Sequence, residues 1–148
     1  MNLLTKLIYK RKKSKSKLIK KFLTKVIYLI GCDIPENVVI GDNVNFCHNC
    51  LGTVIYDGTI IEDNVRIYQN VTIGLNNPYK KENFCVILKK GSCICAGAKI
   101  LCKDKLIVGE NSIIGANSVL NHSIGDNEVW AGIPARKIGS SKKYKVVK

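Results

Sequence analysis

From Asp33 onward, large aliphatic or aromatic side chains recur at every sixth position. They fall at Ile34, Ile40 and Phe46, and after a three-residue slip at Ile55, Ile61, Ile67 and Ile73. After a longer break the row resumes at Leu88, Ile94 and Ile100, and again at Val108, Ile114 and Leu120. Four places beyond many of these stands a small or β-branched residue: Val44, Val65, Val71, Ala98, Ser112 and Ser118. A helix repeats about every 3.6 residues and a strand about every two, so a period of six fits neither. It fits a triangular coil in which three short strands make one turn of roughly eighteen residues and equivalent side chains stack inward. The intervening Gly, Asn and Asp suit the corners, where tight turns favour them. The pattern predicts a mainly β fold, a left-handed parallel β-helix over residues 31–139, which departs from the usual right-handed crossover.

The flanks read differently. Residues 1–30 carry two apolar stripes at helical spacing, Leu3, Leu4, Leu7 and Ile8, then Leu18, Phe22, Leu23, Val26, Ile27 and Ile30. They predict a basic, amphipathic helical segment that packs its stripes on the coil, with contact to an anionic membrane surface as the alternative. Residues 140–148 predict a basic flexible tail. Between Leu75 and Val86 the phase is lost in a polar run that includes Asn76, Asn77, Pro78 and Asn83, which predicts a loop expelled from the coil.

Charge changes this picture less than its size suggests. The 148 residues hold 24 Lys and Arg against 11 Asp and Glu, a formal net charge of +13. Ten of the basic residues lie in 1–30 and four in 141–148, with no acid in either stretch. The coil is therefore close to neutral, and it lacks the basic face with stacking aromatics that nucleic acid would require. No apolar run approaches the length of a membrane span, and lysines interrupt the first apolar stretch where a signal peptide would need continuity. The chain is accordingly expected in the cytoplasm, peripheral to the inner membrane face if the helical segment binds lipid. Seven cysteines in such a compartment argue against a disulfide framework. Cys47-His48-Asn49-Cys50 invites a zinc reading, but Cys93-Ile94-Cys95 is a poor second ligand pair, and no metal is expected.

The order of motifs along the coil resembles the hexapeptide-repeat acyltransferases, and within them the serine acetyltransferase group. The resemblance is carried by Asp33-Ile34-Pro35, Cys47-His48, Ile61-Glu62-Asp63-Asn64-Val65, Gln69-Asn70-Val71-Thr72-Ile73-Gly74, Ala96-Gly97-Ala98-Lys99-Ile100, Gly115-Ala116-Asn117-Ser118-Val119 and Ala131-Gly132-Ile133-Pro134-Ala135-Arg136. It implies an acetyl-CoA-dependent O-acetyltransferase, working as a homotrimer with coenzyme held between subunits. It further implies His48 as general base and Asp33 as the carboxylate that orients it. Gly74, Ala96, Ala98, Ala116, Ala131 and Gly132 would line the coenzyme groove, with Arg136 and Lys137 at the phosphates. The family's large N-terminal helical domain has no counterpart here beyond the thirty basic residues.

The residues support the same chemistry independently. Acylating an alcohol from a thioester requires a group that takes the hydroxyl proton as the oxygen attacks, and histidine is suited to that near neutral pH. Of two histidines, His48 sits at the phase slip and should project outward, whereas His122 follows the last repeat in a surface turn. Two histidines are too few for a three-histidine zinc hydratase on the same coil. By the resemblance, an acid that holds the ammonium group of serine should precede the base, and Cys47 stands there; Phe84 stands where a second histidine belongs. The acceptor read from the sequence is therefore a hydroxyl of a sugar or surface-glycan precursor. Serine, as in cysteine biosynthesis, is the first alternative, and a non-catalytic membrane-associated scaffold the second.

Overall fold

The computed structural model describes residues 1–77, 79 and 83–144. Two helices, α1 (Leu3–Lys13) and α2 (Lys17–Leu29), precede four turns of coil. The first turn comprises β1 (Val39–Ile40), β2 (Asn45–Phe46) and β3 (Val54–Ile55), and the second β4 (Thr59–Ile61), β5 (Arg66–Ile67) and β6 (Thr72–Leu75). The third comprises β7 (Cys85–Leu88), β8 (Cys93–Ile94) and β9 (Lys99–Cys102), and the fourth β10 (Lys105–Val108), β11 (Ile113–Ile114) and β12 (Val119–Leu120). Like strands stack in parallel to give three faces, β1-β4-β7-β10, β2-β5-β8-β11 and β3-β6-β9-β12. An antiparallel hairpin of β13 (Glu128–Gly132) and β14 (Ala135–Ser140) extends the second face through β11 and β13.

All thirteen positions of the six-residue row are buried and form one continuous core. The second row, Val44, Val65, Val71, Ala98, Ser112 and Ser118, is buried with it. Register shows how the chain protects this stacking. Ile55 lies over Ile73, eighteen residues on, but Phe46 lies over Ile67 and Ile61 over Leu88, twenty-one and twenty-seven residues on. Three surplus residues leave the coil at the Cys47–Cys50 turn, nine fall between Leu75 and Cys85, where the expected expelled loop lies partly outside the described residues, and two fall between Cys102 and Lys105.

The corners explain the Asn and Gly content. Asn43, Asn64, Asn111 and Asn127 all take positive φ on one corner, and Asn70 and Asn117 do so on the next. Asparagine tolerates this left-handed region better than most residues. Gly97 shows why the alternative is glycine: at φ +73° it packs so closely that a Cβ would lie 2.0 Å from Asn117 Oδ1.

The N-terminal segment caps the open end of the coil. Leu4 and Ile8 of α1 and Ile27 of α2 join the same core as Cys32, Ile34 and Phe46. Arg11 is buried between the helices and the coil, donating to Thr24 Oγ1 at 3.0 Å, to the Ile34 carbonyl at 2.7 Å and to the Pro35 carbonyl at 3.3 Å. The Tyr9 hydroxyl accepts from Val44 N at 2.8 Å and donates to the Gly41 carbonyl at 3.1 Å. At the other end, β14 and a short turn at Ser141–Lys143 keep the chain ordered past the expected start of the tail at 140. Ser141 is buried and its N–H donates to the Asn127 carbonyl; 145–148 lie outside the described residues. No helix among the described residues is long and apolar enough to cross a membrane.

Replacing Arg11 with Ala would leave the Ile34 carbonyl and Thr24 without their partner in a buried setting. Each such loss costs about 1–3 kcal/mol, so thermal melting should show a fall in Tm of at least several degrees. A variant that melts with the parent would contradict the capping role.

Candidate active site

The three-residue surplus after Phe46 is spent in a turn over Cys47–Cys50, and His48 is displayed on it. His48 and Asn49 both take φ +53°, and Cys50 follows at φ +44°. Three consecutive non-glycine residues in the left-handed region are costly, so the turn must be held from outside. It is. Cys50 turns inward, fully buried, with its thiol donating to the Ile67 carbonyl at 3.1 Å. The Cys32 thiol lies 3.1 Å from both the Asn49 and Cys50 carbonyls. From above, Asn2 donates through Nδ2 to the Phe46 carbonyl, and Leu4 N donates to Asn49 Oδ1 at 3.2 Å. Asn2 also caps α1 by accepting from Thr5 N at 3.0 Å. One side chain thus starts the helix and secures the residue two places before the base.

An open cleft of about 980 Å³ separates α1 from the coil at this point. His48, Cys47, Asn45 and Tyr68 line the coil side; Asn2, Thr5, Tyr9 and Lys13 line the helix side; Asp42 and Asn43 lie at the corner. The ring of Tyr68 lies 6.0 Å from that of His48, tilted by 44°. Asp42 is the single carboxylate among these lining residues, and it is paired with Lys12 at 2.8 Å, which holds it below the usual carboxylate range. The helix-side residues and Tyr68 were missed by sequence reasoning, because nothing in the spacing of α1 shows where its polar face will dock.

Two expected neighbours of His48 are elsewhere. Asp33 heads the third face, paired with Val54, with its N–H donating to the Thr53 carbonyl at 2.9 Å. Its carboxylate makes no hydrogen bond to His48 and lines a separate cleft with Thr24, Tyr28 and Leu29 of α2. Phe84 folds back edge-on against Tyr56, ring centres 5.0 Å apart, and packs against the core, outside the His48 cleft.

The residues assigned to coenzyme divide by position. Ala96 and Ala116 stack on one corner, where Asn117 N donates to the Ala96 carbonyl at 2.9 Å. Gly74 lies on the third face with open space where a Cβ would be. These small side chains leave the backbone approachable at two separate places, the corner and the third face. Ala98 does not belong with them: its methyl is fully buried in the coil, in the inward row that the repeat itself identifies. Ala131 is half-buried against Gly115, and Gly132 N donates to Ser118 Oγ at 3.0 Å. Arg136 is exposed, and its guanidinium donates to the adjacent Ala135 carbonyl at 3.0 Å. Lys137 is committed to Glu128, which also accepts from Trp130 Nε1 and Gly125 N at 2.9 Å. No group of three or more His, Cys, Asp or Glu is placed to hold a metal among the described residues, and Cys50 faces away from Cys47.

Outward positions of the second face place Cys47, Tyr68 and Cys95 in one row across successive turns, with Cys93 beside Cys95. The neighbouring Cys93 thiol lowers the pKa of Cys95 against the opposing effect of burial. The same pairing holds Cys93 well above its ordinary value. Thiolates are the reactive form. Cys95 should therefore alkylate first with iodoacetamide, at lower pH than the other thiols, and Cys93→Ala should shift its reaction to higher pH. Labelling of Cys95 no faster than Cys85 would contradict this arrangement.

Comparison with known proteins agrees with the fold and the motif order. No family model matches the chain. The serine acetyltransferase of Buchnera aphidicola subsp. Acyrthosiphon pisum is 36% identical over 114 residues, covering 76% of this chain and 40% of that protein. Among solved structures, a serine acetyltransferase in complex with cysteine aligns over 94% of this chain and 52% of its own, with TM-score 0.75 and 29% identity. The serine acetyltransferase of Brucella abortus strain S19 in complex with coenzyme A aligns over 93% and 53%, with TM-score 0.72 and 27% identity. The coil is thus the left-handed β-helix of the hexapeptide-repeat acetyltransferases. Within them the chain falls in the serine acetyltransferase-like group, and it spans about half, or less, of the length of these relatives.

Proposed function

We propose that the chain transfers an acetyl group from acetyl-CoA to a hydroxyl acceptor, with His48 as general base. The observation that carries this reading is the display of His48 on a strained, externally braced turn at the head of a polar cleft. In this mechanism the imidazole takes the acceptor's hydroxyl proton while the oxygen attacks the thioester carbonyl. A backbone N–H steadies the oxyanion. As the tetrahedral intermediate collapses, the carbon–sulfur bond breaks and the imidazolium returns the proton to the coenzyme thiolate. Ala96 and Ala116 on the corner and Gly74 on the adjoining third face offer approachable backbone for coenzyme, and exposed Arg136 offers charge for its phosphates. Asp33 acts on His48 in this proposal only if its carboxylate turns from the α2 cleft toward the imidazole.

For the acceptor, L-serine stands first, because the similar proteins carry that substrate in their names. Asp42 supports it as a carboxylate at the cleft, able to meet an ammonium group if it exchanges Lys12. A sugar hydroxyl is the second reading. It is favoured by Cys47 beside the base and by a cleft whose other groups, Asn2, Thr5, Tyr9, Asn45 and Tyr68, are mostly neutral hydrogen-bonding side chains. Thiol release from acetyl-CoA should proceed with L-serine, and His48→Ala should lower kcat by about 10²–10⁴-fold. Release with sugars alone would select the second reading. An unimpaired His48→Ala protein would remove the base assignment, and no release with any acceptor would leave a non-catalytic scaffold.

Assembly belongs to the same proposal. The coil exposes flat sheet faces, and a coenzyme groove running along a corner of small residues needs a second wall, which supports a homotrimer with composite sites. Sedimentation at micromolar concentration should give three times the mass of one chain; a monomer would contradict it.

A further inference from the structure

α2 uses only part of its apolar surface to pack. Leu23 and Ile27 are buried, but Leu18, Phe22 and Leu29 are 80%, 65% and 84% exposed. At about 100° per residue, these three side chains fall within roughly 40° of one another on the helix. They form one ridge pointing away from the coil. Beside it, Lys17, Lys21 and Lys25 make a second ridge at i, i+4 and i+8, all exposed and without an ion pair among the described residues. Neither helix contains an acidic residue.

We propose that this face of α2 docks the chain on an anionic lipid surface. The two ridges match the two parts of such a surface. Lysines meet phosphate headgroups, while Leu18, Phe22 and Leu29 enter the acyl boundary. The charge argues against a second copy of this chain as the occupant, because a two-fold contact through α2 would bring lysine ridges together with no acid to separate them. The cleft beside His48 lies on the α1 side of the cap, so docking through α2 leaves it open. This inference does not rest on the catalytic reading.

The test is flotation of the full chain with vesicles of phosphatidylcholine, with and without about a third phosphatidylglycerol. The parent chain should float only with the anionic vesicles, and less as salt rises. A Lys17→Gln/Lys21→Gln/Lys25→Gln variant should partition roughly a hundredfold more weakly. A Leu18→Ser/Phe22→Ser variant should lose about tenfold or more. Both alter exposed residues, and an unchanged melting curve verifies that they fold. Failure of the parent to float would overturn the proposal. So would undiminished flotation of the Leu18→Ser/Phe22→Ser variant, which would indicate adsorption by charge alone. Self-association of the parent that Phe22→Ser abolishes would name a second copy as the occupant instead and would equally overturn it.

Discussion

The inward row of Ile, Leu, Val and Phe side chains can stack only if every turn returns to the same register, and the rest of the molecule accommodates that demand. The core is one side chain deep on each face, so a slip of one residue would turn the row outward along a whole side. Extra residues can be carried only by leaving the coil at a corner. The chain does this at Cys47–Cys50, and nine further residues separate the second turn from the third between Leu75 and Cys85, with the inward row paired on either side. The turn at Cys47–Cys50 presents His48. The proposed base and the defect in the repeat are the same feature.

A coil built this way has an unfinished end, and the cap solves two problems there. Leu4, Ile8 and Ile27 complete the core over Ile34 and Phe46, while Asn2, Tyr9 and Arg11 satisfy groups at the coil's edge. Burying Arg11 works against its charged form, and burial lowers its pKa despite the nearby Glu36. The compensation is three acceptors at hydrogen-bond distance. In docking, α1 also becomes a wall of the cleft at His48, so the cap and the site share residues. The strain of three successive left-handed residues persists because Asn2, Asn49 and the inward Cys50 over-determine the turn.

The coil was legible in the sequence because its physical cause, stacking at a fixed period, leaves a direct trace at Ile34 through Leu120. The asparagine corners and the turn at Cys47–Cys50 were legible for the same reason. The site was legible in part. His48 could be read from its place at the slip, but its surroundings depend on docking between residues more than thirty apart, such as Tyr9 with Val44 and Asn2 with Phe46, which no local pattern encodes. The family resemblance implied that Asp33 and His48 would meet. In the fold, the extruded turn carries His48 toward α1 while Asp33 stays in the strand-like pairing with Val54. Ala98 was assigned to two roles from sequence, an inward repeat position and a coenzyme contact, and burial leaves it the first. The α2 ridge was visible as part of an apolar stripe, but only the structure separates the buried Leu23 and Ile27 from the exposed Leu18, Phe22 and Leu29.

The central claim is that a base on an extruded turn serves direct transfer, although the thiols of Cys47 and Cys95 share the face beside it. Intact-mass measurement of the chain after incubation with acetyl-CoA, first without and then with acceptor, tests this most directly. Direct transfer leaves the protein mass unchanged in both conditions and releases coenzyme thiol only when the acceptor is present. A chain that becomes one acetyl group heavier without acceptor, at Cys47 or Cys95, and loses that group when acceptor is added would contradict the account.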